Sequence, residues 1–207
     1  MTAAVIIAMV GSYLLGAIPT SYWVVRVARG QDLRTMGSGN LGATNLYRQL
    51  GWKFAVPVGL FDALKGAIPV AVFGPWAGLD VLASIGLGLL AVVGHVWSVF
   101  VGFRGGKGVA TGGGIVLGVA PWAFVGALVA WIVVVKFTGY VSLGSIVSAV
   151  LLPLLIWLLH PADRIAVLPI AALALLVIWF HRANIRRLLA GTENRFGKRA
   201  TAGGGTP

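Results

Sequence analysis

Residues 94–111 read Gly-His-Val-Trp-Ser-Val-Phe-Val-Gly-Phe-Arg-Gly-Gly-Lys-Gly-Val-Ala-Thr, an apolar run that opens into a nearly bare glycine loop. Gly105, Gly106 and Gly108 leave main-chain N–H groups uncovered beside Lys107, and such a concavity suits anionic oxygens, phosphate above all. A nucleotide-hydrolysing P-loop is not implied. Val101 stands where its first glycine belongs, and Gly108 follows the lysine in place of Ser or Thr. A flexible turn between membrane helices, with Arg104 and Lys107 marking its cytoplasmic side, fits the same residues. The loop alone leaves both readings open.

The rest of the chain decides the setting. Of 207 residues, 58% are hydrophobic and 10% charged, too apolar for a soluble domain that must solvate its own surface. The composition predicts an integral membrane protein in one domain over residues 1–199, with no room for a separate soluble domain. Residues 200–207 read as a disordered or appended tail. The formal charge of +11 collects at the ends of apolar segments, which fits positive-inside sorting and anionic headgroups or phosphorylated substrates better than nucleic acid. With no cysteine there is no thiolate nucleophile, and three dispersed histidines argue against a zinc site. The N-terminal run lacks a basic leader and is longer than a signal peptide, so it is expected to be a retained span.

Taken in order, residues 3–27 form a first span, and Arg26, Arg29 and Arg34 place the following loop in the cytoplasm and the N-terminus outside. That loop contains Gly-Ser-Gly-Asn-Leu-Gly-Ala-Thr-Asn at 37–45, a second candidate anion nest. Gly37, Gly39 and Gly42 match a dinucleotide fingerprint, with Asp62 at the expected distance. No strand precedes them and no βαβ pattern comes after, so only the physics of a glycine loop before a helix survives. The second span, 54–73, carries Asp62 and Lys65 on one face, either a functional pair or a structural ion pair. An external turn at 74–80 leads into a third span at 81–103.

Charge and parity constrain the topology of the remaining spans. A single span over 112–135 would put Lys136 and the basic C-terminal segment outside. Pro121 instead suggests two shorter helices, 109–119 and 121–135, dipping in and returning. Spans at 141–159 and 165–180, joined by an outer turn, complete an all-α membrane protein of seven helices with the C-terminus inside. In the segment after Phe180, His181, Asn184 and Ile185 share a helical face, while Arg182, Arg186 and Arg187 can meet lipid phosphate; a plain positive-inside tail is the other reading.

Three segments now carry the polar residues: 37–45, 94–111, and His-Arg-Ala-Asn-Ile-Arg-Arg-Leu-Leu-Ala-Gly-Thr-Glu at 181–193. Together, and with their spacing over nearly the whole chain, they resemble the bacterial acyl-phosphate-dependent glycerol-3-phosphate acyltransferase family. The resemblance implies transfer of a fatty acyl group from acyl phosphate to the 1-hydroxyl of glycerol 3-phosphate, giving 1-acylglycerol 3-phosphate (lysophosphatidic acid) and phosphate. It implies a multi-pass protein of the bacterial inner membrane with a cytoplasmic site. No cofactor or metal is implied, and neither acyl-CoA nor acyl carrier protein is the direct donor. Carried over to this chain, Ser38, Lys107 and His181 take the catalytic roles. Gly39, Asn40, Gly42, Thr44, Asn45, Arg48, Gly105, Gly106 and Asn184 take substrate-binding ones.

The chemistry of these residues suits the task. Both reactants carry phosphate, so Arg48 and Lys107 supply charge and the glycines close main-chain approach. An acyl phosphate is already activated, so positioning can do most of the work. His181 or the donor phosphate can take the hydroxyl proton, and a covalent acyl-Ser38 intermediate is a third option. The His-x4-Asp pattern of other acyltransferases is missing: Phe100 follows His95 at that distance, and Ile165 follows His160. His95 is expected to be a buried hydrogen-bonding group beneath the loop. Two other functions fit parts of the chain. A transporter or channel for organic phosphates would explain the intramembrane charges, and a lipid-binding scaffold would explain the basic tail.

Overall fold

The computed structural model describes residues 1–196, so the tail expected at 200–207 lies outside the described residues. The first span is not one helix. It is α1 (Ala3–Ala17) and α2 (Thr20–Arg29), broken where Pro19, lacking an N–H, drives Ile18 out of helical geometry (ψ 111°). The break frees carbonyls in an apolar setting, and distant side chains take them. Ser98 Oγ donates to Ala17 O, and Lys65 Nζ donates to Ile18 O at 2.6 Å.

After α3 (Ala43–Leu50), α4 (Trp52–Ile68) continues through a wide turn at Pro69–Phe73 into α5 (Gly74–Trp76), so the turn expected at 74 begins only after Trp76. Helix α6 (Val81–Val96) starts on the Asp80 side chain, which accepts from Ala83 N–H at 2.8 Å. It stops well short of 103. The chain then turns through Val99–Val101 and the glycine loop before α7 (Val109–Val119). Pro121 opens α8 (Pro121–Thr138), a position that needs no N–H, and α9 (Val141–Leu159) comes next. A tight turn at Pro161–Ala166 leads into α10 (Val167–Phe180) and the short α11 (Arg182–Leu189).

Six helical stretches are long and apolar enough to cross a bilayer: Ala3–Arg29, Trp52–Trp76, Val81–Val101, Pro121–Thr138, Val141–Leu159 and Pro161–Phe180. The eleven residues of α7 rise only about 16 Å, half a hydrocarbon core. It survives by being wrapped in protein. Ile115 and Val116 are fully buried among Ile85, Val92 and Ile170. Its contact with α4 is closer than side chains permit: a Cβ on Gly66 would lie 1.8 Å from Thr111 O, and one on Gly114 1.8 Å from Ala63 O. Without water to drive helices together, such small-residue contacts supply the packing. Outward faces carry exposed Leu128, Ile132, Leu168 and Leu175, as lipid-facing surfaces should.

Long-range bonds gather the polar loops at one end of the bundle. Arg34, paired with Asp32 at 2.6 Å, also donates to Val101 O at 3.0 Å and ties the first glycine loop to the second. Ser142, at the start of α9, reaches Glu193 beyond α11 at 2.8 Å.

Candidate active site

The second glycine loop folds back over the end of α6. Phe103 N–H closes the turn on Ser98 O at 2.8 Å, Gly105 N–H donates to Val96 O at 2.9 Å, and Gly106 N–H to His95 O at 3.0 Å. The expectation that the Gly105 and Gly106 amides stand free for an anion is therefore corrected, since helix-end carbonyls have claimed them. The two glycines serve close approach instead. A Cβ on Gly105 would lie 1.9 Å from His95 O, and one on Gly106 2.1 Å from His95 Nε2. Gly108, at φ 75°, turns the chain into α7, whose first-turn amides have no intrahelical acceptor and make the positive end beside Lys107.

Lys107 Nζ donates to Asn184 Oδ1 on α11. Asn184 Nδ2 in turn donates to Glu193 Oε1 at 2.6 Å, and Arg187 Nε to Glu193 Oε2 at 2.6 Å. Burial alone would raise the Glu193 pKa, but bonds from Asn184, Ser142 and Arg187 outweigh it and hold the carboxylate below its ordinary range. Around this one anion sit several cations. Burial lowers the Lys107 pKa to about 8, against the pull of Glu193 and with help from Arg187 and Arg48. His181, between α10 and α11, is 3% exposed. Burial, with Lys107 adding, lowers its pKa to about 4 against the Val177 carbonyl and Glu193. It is neutral at physiological pH. Its Nδ1 lies 2.7 Å from Val177 O, which can only accept, so Nδ1 carries the proton and Nε2 keeps the free lone pair.

The first loop is held differently. Asn45, 1% exposed, accepts from Ser38 N–H at 3.1 Å and donates to Met36 O at 3.0 Å and Asn40 O at 3.1 Å. Its amide is engaged by the loop's own main chain, so Asn45 acts as a brace across it. Ser38 is exposed, Gly39 turns at φ 69°, and Asn40 leads to Gly42, which caps α3 ahead of Thr44. Arg48, further along α3, feels the charges of Glu193 and Arg187, and its neighbour Tyr47 stacks on Phe196 at 4.4 Å.

Thus Lys107, His181, Asn184 and Arg48 converge. Among the described residues, the side chains of Ser38, Asn40 and Thr44 make no hydrogen bond to that cluster, although their loop borders it through Leu41, which shares a small cavity with Gly105 and Gly106. Sequence reasoning missed Glu193, Ser142 and Arg187 as its organisers. One signal was available: Glu193 is the only glutamate in the chain, and it comes after a run of arginines.

A helical membrane bundle with a half-buried lysine, a neutral histidine and an exposed arginine gathered at one end has the chemistry to meet anionic oxygens. Residues 6–191 match the sequence model of the glycerol-3-phosphate acyltransferase family, and the chain belongs to that family. It is 45% identical over 185 residues to the glycerol-3-phosphate acyltransferase of Geobacter sulfurreducens, covering 89% of this chain and 94% of the relative. With glycerol-3-phosphate acyltransferase 2 of Moorella thermoacetica it shares 46% over 195 residues, 94% of this chain and 99% of the relative. The crystal structure of PlsY (YgiH), an integral membrane glycerol 3-phosphate acyltransferase in its glycerol 3-phosphate form, superposes with a TM-score of 0.87 at 37% identity. That likeness covers 94% of this chain and 96% of the other. The lysphosphatidic acid form gives 0.83 at 35%.

Proposed function

We propose that this glycerol-3-phosphate acyltransferase takes its acyl group from acyl phosphate, without acyl-CoA or acyl carrier protein as direct donor, and forms 1-acylglycerol 3-phosphate. The observation that carries the reading is the Lys107–Asn184–Glu193 arrangement, which holds a cation toward the site while Glu193 fixes its surroundings. Lys107 and Arg48 bind phosphate, with Ser38, Gly39, Asn40, Gly42 and Thr44 completing the wall of the first loop. Asn45, Gly105 and Gly106 hold the walls in place rather than touching substrate. The C1 hydroxyl oxygen attacks the acyl carbon, the bond from that carbon to the phosphate oxygen breaks, and inorganic phosphate leaves. The hydroxyl proton passes to the departing phosphate or to Nε2 of His181.

A neutral imidazole with so low a pKa is a weak base, which favours His181 as the group that orients the hydroxyl. The mixed anhydride lowers the demand for a strong one. Incubating purified protein with acyl phosphate and glycerol 3-phosphate should yield lysophosphatidate; turnover with acyl-CoA alone would overturn the donor assignment. The proposed setting is the bacterial inner membrane, with seven membrane-embedded helices, α7 the short one, the N-terminus outside, and the site and C-terminus in the cytoplasm. Clustering of Arg26, Arg29, Arg34 and Arg187 toward the site end supports that orientation. Single cysteines introduced as Ser38→Cys, Arg104→Cys and Arg186→Cys should all label from the inside; external labelling of any one breaks the topology. The buried Asp62–Lys65 pair, which had suggested phosphate transport, is closed off by its own partners.

A further inference from the structure

A second polar cluster lies beneath the site, and none of the roles assigned above falls to it. Asp62 and Lys65 on α4 are 3% and 1% exposed, with Lys65 Nζ 2.5 Å from Asp62 Oδ1 and its remaining reach spent on Ile18 O. His95 Nδ1, near the end of α6, stands 3.9 Å from the same carboxylate oxygen. The far edge of that imidazole is the surface on which Gly106 rests, as the 2.1 Å separation of a virtual Gly106 Cβ from Nε2 requires. A cavity of about 10 Å³, room for roughly one water, lies among Thr20, Leu41, Asp62, His95, Gly105 and Gly106. The cavity therefore borders the cluster and both glycine loops at once.

Stability does not account for it. Ionised groups at membrane depth are costly, and apolar residues of similar volume commonly replace a buried ion pair with no loss. What apolar residues cannot do is hold an imidazole in one orientation against a side-chain-free loop.

We propose that Asp62, Lys65 and His95 are positioning residues. The ion pair fixes the imidazole and the α1–α2 break, and His95 sets the height of Gly106 and with it the reach of Lys107 toward Asn184. None of the three touches substrate. The proposal rests on the phosphate-binding role of Lys107, and its test separates the two. In the full-length protein, His95→Ala should lower kcat/KM roughly 10- to 100-fold, most of it as a raised KM for glycerol 3-phosphate, with the thermal unfolding temperature little changed. If His95→Ala does not fold, His95→Gln serves, with a smaller defect of the same kind.

Gly106→Ala should be nearly inactive, and adding His95→Ala should restore at least about tenfold of the loss, because the collision is then relieved. Asp62→Asn alone leaves Lys65 buried without its partner, so the informative variant is Asp62→Asn with Lys65→Met, which should fold and share the KM defect of His95→Ala. Labelling of Lys107 by an amine-reactive reagent, read by mass spectrometry without substrate, should change in rate in the same variants. Unaltered KM and unaltered labelling in His95→Ala, or strict additivity with Gly106→Ala, overturns the proposal. Altered labelling in a protein whose wild type makes no lysophosphatidate upholds the positioning and sinks the function instead.

Discussion

The two glycine loops stand side by side at one end of the bundle and are built by opposite means. In the first, one buried side chain, Asn45, crosses the loop and satisfies a donor and two acceptors of its main chain. In the second, among the described residues, no side chain braces the glycines this way, Arg34 reaching only the Val101 carbonyl ahead of them; the loop lies main chain to main chain on the end of α6, with His95 as its floor. Glycine-rich sequence looks alike in both, yet Gly39 is there for its left-handed turn and Gly105 and Gly106 for want of a Cβ. A loop held by a side chain fails when that side chain is lost. A loop held by contact fails when anything is added.

The largest effect should come from the cation that the second loop presents. Lys107→Ala should lower kcat/KM by roughly 10²- to 10³-fold with little change in thermal unfolding, since the side chain contributes charge and not core packing. Near-normal turnover would remove the phosphate-holding role, and Lys107→Arg should also be poor because a planar fork does not replace a point charge.

Next in size is His181. Orientation of the hydroxyl predicts that His181→Asn and His181→Gln keep appreciably more turnover than His181→Ala, whereas loss of a general base would make all three equally inactive. With a pKa near 4, wild-type kcat/KM should show no acidic limb near pH 6.5 from this residue. An imidazole titration there, followed by NMR, would contradict the buried neutral state.

Asn45→Ala tests the other loop and should reverse the pattern seen at Lys107. Stranding the Ser38 amide and two carbonyls should cost about 1–3 kcal/mol of stability, measured as denaturant or thermal unfolding, with activity falling alongside. A stable but inactive Asn45→Ala would return that residue to the substrate. The smallest expected effect is a pH dependence of binding. Lys107 carries its charge below about pH 8 and loses it above, so affinity for glycerol 3-phosphate should weaken severalfold as pH rises from 7 to about 9. Because burial depresses this pKa, the cost of keeping Lys107 charged in the folded protein is present below pH 8 and fades as pH rises toward the ordinary lysine value.

Much of the architecture was legible because membrane spans announce themselves by length and hydropathy. Pro121 marked the α7–α8 junction because a proline at a helix start has a local cause. Pro19 was equally visible, but its flanks are continuously apolar. The groups that make the break tolerable, Lys65 and Ser98, lie 47 and 81 residues away from the carbonyls they take. At the site, the glycine loop marked Lys107 and a shared helical face marked His181 and Asn184, while Arg48 came only with the family resemblance. None of these marked Asn45 as a brace, because an amide that binds a ligand and one that binds its own loop look the same in sequence. Glu193 escaped for a related reason: its role arises from donors on α9 and α11 that only the fold brings together.

The contact of α4 with α7 carries a consequence for motion. Where Gly66 meets Thr111 O and Gly114 meets Ala63 O, no side chain intervenes to rotate, so the two backbones cannot slide past one another by rotamer changes. Opening α7 means separating two helices in one step and exposing, in a setting with little water, the groups that α4 now covers. Amide hydrogens of α7 and the facing turns of α4 should therefore be the last in the protein to exchange with deuterium, hours behind the loops that α7 supports. The site would then breathe around a short helix that does not.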